Sequence, residues 1–206
     1  MEIIWLGHAC FVLESDGCRA VLDPYSFECY PPLSIEAHEV FCSHGHRDHN
    51  YTDGVRLLAP RKSTFTVTKI ETFHDDAQGT LRGMNTMHLL EAEGLRVLHC
   101  GDLGHPLDAA QLAQVGRCDA LLIPVGGYYT IDAKAAKTLA DALGARVVVP
   151  MHYQHGEYGL REVAGVEDFL ALYDAGEVTR LPQNRFTLTH DAPRGVVVPQ
   201  YKGASL

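Results

Sequence analysis

No stretch of this sequence approaches the ~20 consecutive apolar residues of a membrane-crossing helix. No basic segment followed by an apolar run marks a leader either; Glu2-Ile3-Ile4-Trp5-Leu6 already reads as a strand. The expected setting is cytoplasmic, with no membrane partner. Basic residues are sparse, 17 Lys and Arg against 26 Asp and Glu, and they form no run. A net charge of −9 therefore excludes a nucleic-acid partner of the ordinary kind, because phosphate binding needs clustered cations. The six cysteines contain no C-x-x-C pair, and Cys10, Cys42 and Cys100 fall in strand-like segments as small hydrophobes. Low-complexity tracts, short-period repeats and Pro/Gly/Ser-rich linkers are absent too, so residues 1–206 are expected to form one domain with a full core.

What the sequence has in excess is histidine, 12 residues, and three of them crowd one segment, Ser43-His44-Gly45-His46-Arg47-Asp48-His49. Three imidazoles and a carboxylate within six positions are the donor types that borderline divalent metals take. The preceding His38-Glu39-Val40-Phe41-Cys42 reads as a short strand and the following Asn50-Tyr51-Thr52-Asp53-Gly54 as turn chemistry opening a short helix to Leu58.

The first part of the chain is strand-rich, with Asp16-Gly17 as a two-residue hairpin turn and Pro24 ending a strand at Asp23. Strands are predicted at 64–67, 69–73, 85–90 and 95–100, with 24–37 a loop. Strand–helix alternation follows: helices at 106–115, 132–143 (Asp132 as N-cap, Gly144 as C-cap) and 163–173, strands at 119–124 and 146–150, and closing strands at 187–189 and 196–198. His44, His74, Asp102 and His152 each stand at or just after the end of an apolar strand, so ligands from separate strands can converge on one edge of a sheet sandwich. His88 and His99 compete with His74 for the middle position; His88 lies inside a strand and His99 precedes Cys100-Gly101-Asp102.

H-x-H-x-D-H, a later His, a Gly-Asp and a His after a strand together resemble the metallo-β-lactamase-fold hydrolase superfamily. Trp5-Leu6-Gly7-His8-Ala9-Cys10-Phe11, Leu22-Asp23-Pro24, Ile123-Pro124-Val125-Gly126-Gly127 and Pro150-Met151-His152-Tyr153 are similar to its compact, ascorbate-6-phosphate lactonase-like branch. The resemblance implies an α/β fold, a four-layer αββα sandwich of two mixed sheets with helices on the outer faces. It also implies two divalent metal ions, zinc or alternatively manganese or iron. His44, His46 and His74 would hold one metal, Asp48, His49 and His152 the other, with Asp102 bridging and Asp48 and Asp102 steadying a metal-bound hydroxide. A centre formally about +1 would favour substrates that gain negative charge in the transition state.

Around this core, Asp23 is the natural carboxylate acceptor for a ligand imidazole. His8, Arg82, Asn85, His105, Gly126, Gly127, Tyr128 and Tyr129 are candidates for the site rim or substrate contact. The expected function is hydrolysis of a small, anionic or phosphorylated lactone, ester or phosphodiester. The alternatives are an iron-dependent oxidoreductase on the same fold and a metal-binding protein without turnover. Exposed tyrosines near the site loop suit a homo-oligomeric interface.

Overall fold

The computed structural model describes residues 1–203. Its strands are β1 (Glu2–Trp5), β2 (Phe11–Ser15), β3 (Cys18–Leu22), β4 (Ile35–Ala37), β5 (Glu39–Phe41), β6 (Val55–Leu57), β7 (Thr66–Phe73), β8 (Met84–Ala92), β9 (Leu95–His99), β10 (Ala120–Pro124), β11 (Val147–Met151), β12 (Val178–Arg180), β13 (Arg185–Thr187) and β14 (Gly195–Val198). The α-helices are α1 (Ala109–Val115), α2 (Ala133–Leu143) and α3 (Glu167–Leu170).

Two sheets carry the fold, a five-stranded sheet ordered β13-β1-β2-β3-β5 and a seven-stranded sheet ordered β12-β14-β11-β10-β9-β8-β7. Both are mixed. β3 pairs with β5 in parallel beside antiparallel neighbours, and β9, β10, β11, β14 and β12 run parallel while β7-β8-β9 is an antiparallel meander. Ile3, Trp5, Phe11, Leu13, Ala20 and Leu22 point between the sheets, where they meet Leu89, Val97, Leu121 and Val149 in one buried cluster. The alternate residues Ile4, Val12 and Val21 belong to a second cluster with Tyr25, Tyr30, Leu33 and Ile35 on the other face. β1 to β3 are thus buried on both faces, which is why their sequence shows apolar runs with little polar alternation. Each fully buried aliphatic side chain contributes roughly 1.5–3 kcal/mol of transfer free energy.

Asp16 and Gly17, with φ of 45° and 70°, form the expected tight turn between β2 and β3. α2 is capped as expected, its Asp132 side chain accepting from the Ala135 N–H and Gly144 adopting the left-handed conformation. α1 begins at Ala109, where Asp108 and Gln111 form a reciprocal capping box. Helices pack on the seven-stranded sheet, α1 against β7 and α2 against β10, with α3 beside α2. Over the five-stranded sheet the covering layer is irregular, made by Tyr25, Tyr30 and Leu33 of the 24–34 loop and by β4 and β6, which pair in parallel.

Five local expectations are corrected. The segment after the histidine cluster is a single 3₁₀ turn, Thr52–Gly54, running into β6, because Ile35 and Val55 need each other's strand edge to bury. The two strands predicted at 64–67 and 69–73 are one, β7, paired throughout with β8. The third helix is a single turn, α3. The segment expected as a loop over 24–37 ends in a strand, β4, paired with β6, and the three-residue edge strand β12, held by β14, was not foreseen.

Candidate metal centre

One edge of the sandwich gathers the ends of six strands. β1 runs into Gly7-His8, β3 into Asp23, β5 into Ser43-His44, β7 into His74 and β11 into His152, while Gly101-Asp102 follows closely on β9. The backbone pays close attention to these positions: His8, Asp23 and His152 all have positive φ, 50°, 47° and 53°, an uncommon conformation for residues with a side chain. Gly126, in the loop after β10, is glycine because a Cβ there would lie 2.3 Å from the His152 carbonyl oxygen. Gly101 is equally constrained, since a Cβ would meet Asn85 Oδ1 and Ser43 Cβ at 2.4 Å.

The side chains at this edge form three overlapping donor groups whose ligating atoms lie within 4.8 Å of one another: His44, His46 and His74; His8, Asp48, His49 and His152; and His44, His49 and Asp102. Asp102 joins them. Its Oδ1 lies 3.2 Å from His49 Nε2, and its Oδ2 lies 3.3 Å from both His74 Nε2 and His152 Nε2. Asp48 Oδ2 is 3.6 Å from His49 Nε2 and 3.4 Å from His8 Nε2. The contacts are close but poorly aligned as hydrogen bonds. His44 Nε2, His74 Nδ1, Asp102 Oδ1 and both ring nitrogens of His152 are buried without a hydrogen-bond partner. Buried donors and acceptors are almost always paired, so this concentration of orphans fits a set of atoms that serve a cation.

A hydrogen-bond relay behind the donors sets their orientation. Asp23, fully buried, accepts from the Ser43 N–H (2.7 Å), the Ser43 hydroxyl (2.6 Å) and His49 Nδ1–H (2.8 Å). The Ser43 oxygen in turn accepts from His44 Nδ1–H at 2.9 Å. Both imidazoles therefore point Nε2 at the centre, an orientation that follows from these partners. Behind Asp102, its N–H donates to Asn85 Oδ1 (2.9 Å), and the Asn85 amide donates to Thr72 Oγ1 (2.8 Å) and the Cys100 carbonyl (3.0 Å).

Burial and neighbouring charges set the protonation of these groups in opposite directions. Burial works against ionisation of Asp102, but His152 and His49 outweigh it and hold the carboxyl well below its usual range. Burial likewise opposes a charged Asp23, which His99, His49 and the hydrogen bonds from His49 and Ser43 nevertheless hold near about 2. Burial, with His49 as the next cause, lowers His44 to about 3, so it stays a neutral donor. His49 goes the other way: burial disfavours its charged form, yet Asp102 and Asp23 raise its pKa well above the ordinary value.

The competing histidines lie elsewhere. His99 has both ring nitrogens committed, Nε2–H donating to the Ala9 carbonyl (2.8 Å) and Nδ1 accepting from the Gly101 N–H (3.2 Å). His88 is buried inside β8, packed on Phe41 at 5.6 Å between ring centroids and outside all three donor groups. His105 is taken up by the backbone, with Nε2 accepting from the Phe73 N–H (3.0 Å) and Nδ1–H donating to the Pro106 carbonyl (2.7 Å). Asn85 is sealed from solvent and holds the Asp102 loop, so it does not reach a substrate as the sequence allowed.

A cavity of about 320 Å³ opens over the donors, lined by His46, Asp48, His74, Arg82, Asp102, Tyr129, His152 and Leu160. The Arg82 guanidinium lies 5.5 Å from the Tyr129 ring centroid. Its loop is shaped by Asp75, whose carboxylate accepts four backbone N–H groups, from Ala77, Gly79, Leu81 and Arg82. Tyr128, 65% exposed, projects outward from the same loop as Tyr129 and does not line the cavity. Leu160, in an irregular segment without periodicity, had no sequence signal. Ser43 as the relay hub had one: it opens the histidine segment.

Cys42 adjoins the cluster but stands outside every donor group. Burial, reinforced by Asp23, pushes its thiol up to about 12, so without a metal the group is a neutral thiol. Cys42→Ser is expected to leave the metal content per chain unchanged when measured by mass spectrometry of the elements; lost metal would make the thiol a ligand.

Comparison with known proteins agrees with this architecture. Residues 2–152 match the family model described as beta-lactamase superfamily domain. A candidate Zn-dependent hydrolase of the metallo-beta-lactamase superfamily from Thermotoga maritima is 34% identical. Its crystal structure aligns over 96% of this chain and 97% of that one, with a TM-score of 0.75. A UPF0173 metal-dependent hydrolase from Archaeoglobus fulgidus is 27% identical, covering 74% of this chain and 83% of the relative. An isothiocyanate hydrolase from Delia radicum gut bacteria shares the fold at 13% identity and a TM-score of 0.60, over 84% of this chain and 91% of that one. The chain belongs to the metallo-beta-lactamase superfamily, and several of its curated relatives are named metal-dependent hydrolases.

Proposed function

We propose that this chain is a dinuclear metal-dependent hydrolase, with zinc as the resident ion, acting on a small anionic ester, lactone or phosphodiester. The observation that carries the reading is Asp102, whose two oxygens lie 3.2–3.3 Å from imidazoles of both flanking donor groups. A carboxylate so placed can serve two ions at once. His44, His46 and His74 would hold one, and Asp48, His49 and His152 the other. Zinc suits a set of imidazoles and carboxylates, and the name of the Thermotoga relative puts the same ion forward. Two divalent ions bound there would supply Lewis acidity and a water of lowered pKa.

The chain's own residues do the rest. Asp23 and Ser43 hold His44 and His49 in one tautomer, so the donor geometry is set before substrate arrives. Arg82 is the only Lys or Arg among the residues lining the cavity, and it can orient a carboxylate or phosphate by charge-assisted hydrogen bonds. Tyr129 and Leu160 supply apolar wall, and the cavity is of a size for a small molecule. The lactonase-like sequence motifs and Arg82 together favour a phosphorylated lactone within this class.

The test is reconstitution of metal-free protein with zinc, manganese or iron separately, followed by assay on simple esters, lactones and bis-nitrophenyl phosphate. Two equivalents of zinc with hydrolysis of at least one class is the expected result. Activity confined to iron with oxygen consumption would overturn it in favour of an oxidoreductase. His46→Ala is expected to lose metal and hydrolysis together; full metal occupancy surviving that change would remove His46 from the ligand set.

A further inference from the structure

We propose that His8 is itself a metal ligand, making the second coordination set His8, Asp48, His49 and His152 beside Asp102; the proposal rests on the two-metal reading above. His8 Nε2 lies 3.1 Å from His49 Nε2 and 3.4 Å from Asp48 Oδ2, and His49 Nε2 lies 3.6 Å from the same Asp48 oxygen. Donors held ~2.0–2.1 Å from one zinc ion with five ligands stand roughly 3.0–3.6 Å apart. The three separations fall in that range, so the three atoms describe one face of a coordination polyhedron.

The alternatives are that one proton joins His8 Nε2 to His49 Nε2, or that His8 Nε2–H donates to Asp48 Oδ2. His49 Nδ1–H is already committed to Asp23, so Nε2 is the atom through which His49 would bind a metal. A cation there would take the place of a proton shared between the two rings. His8 Nε2, 3.1 Å from that atom and grouped with Asp48 and His152, then stands where a further ligand would.

The backbone is built to place this ring. Gly7 and His8 are consecutive left-handed residues, with φ of 100° and 50°, and a Cβ on Gly7 would come within 2.6 Å of the Tyr30 ring. The His8 carbonyl accepts from Trp5 Nε1–H (3.0 Å) and from the His152 N–H (3.3 Å), which ties the position to a neighbouring donor. The ring is 2% exposed and packs 4.2 Å, centroid to centroid, from His152.

The experiment compares unmutated protein with His8→Asn, a residue type that tolerates left-handed φ, and His8→Ala. Each is stripped with chelator, checked for folding by circular dichroism, and titrated with zinc and with cobalt. The expected result is two equivalents for the unmutated protein. In both variants one equivalent should be retained and the other weakened by at least ~10-fold, with a changed cobalt visible spectrum. Two equivalents of unchanged affinity and spectrum would overturn the assignment. Unmutated protein saturating at one equivalent would sink the two-metal reading separately; His8 then stands or falls on whether the variants weaken that single ion. Should neither variant fold, cadmium-113-loaded unmutated protein with nitrogen-15 histidine decides: a cadmium–nitrogen coupling at His8 Nε2 supports the ligand, and its absence overturns it.

Discussion

Asp102→Asn is expected to reduce kcat/KM on the hydrolysed substrate class by ~10³-fold or more, about 4 kcal/mol of transition-state stabilisation, and to lower metal content below two equivalents. The amide has nearly the shape of the carboxylate but carries no charge. Asp102 is the one carboxylate within 3.3 Å of His49, His74 and His152 together, so it counters more of the positive charge at the centre than any other residue. Its backbone position should survive, because the Asp102 N–H to Asn85 hydrogen bond involves no side-chain atom of Asp102. Circular dichroism of the metal-free variant should match the unmutated protein. Unchanged turnover with two bound ions would remove Asp102 from the centre and take the proposed chemistry with it.

Asp23→Ala is expected to act on stability and on metal affinity at once. Removing the carboxylate strands the Ser43 N–H, the Ser43 hydroxyl and His49 Nδ1–H in a fully buried place, which typically costs about 3–5 kcal/mol. Loss of the orienting partner weakens metal binding by about 10–100-fold. Thermal unfolding of metal-free protein reads the first effect and zinc titration the second. The same group predicts a pH trend. Its folded pKa of about 2 is depressed below the unfolded 3.8, so it contributes stability that is present above about 4 and lost as pH falls toward 2. From that difference the contribution is roughly 2 kcal/mol. Metal-free Asp23→Asn should lose this part of the acid sensitivity; an acid unfolding curve identical to the unmutated one would show that Asp23 does not supply it.

Much of the fold was legible because its signals are local. The Asp16-Gly17 turn demands positive φ at consecutive residues, and Asp132 and Gly144 cap α2 through their own backbone and side-chain chemistry. The histidine segment was legible for the same reason: four donors within six positions show themselves without a partner. Failures came where a partner far along the chain decides. Residues 55–57 carry no strong strand pattern of their own, and they extend because β4, twenty positions earlier, offers an open edge. Thr68 did not break β7 because β8 pairs with it along its whole length.

In the site, chain order identified His44, His46, Asp48, His49, His74, Asp102 and His152 as candidates through family resemblance, and the structure brings all seven to one edge. The sequence by itself determined that this chain carries metal-type donors at strand ends, since residue identity and apolar pattern suffice for that. Only the tertiary structure decided how they group. His99, two residues from Gly101, is spent on the Ala9 carbonyl, while His8, thirty-six positions before His44, stands 3.1 Å from His49. Side-chain direction at a strand end depends on twist, on positive-φ turns and on what packs behind it. None of these is a property of neighbouring residues in the chain, so the partition between ligand, support and bystander is settled only when the two sheets close on each other.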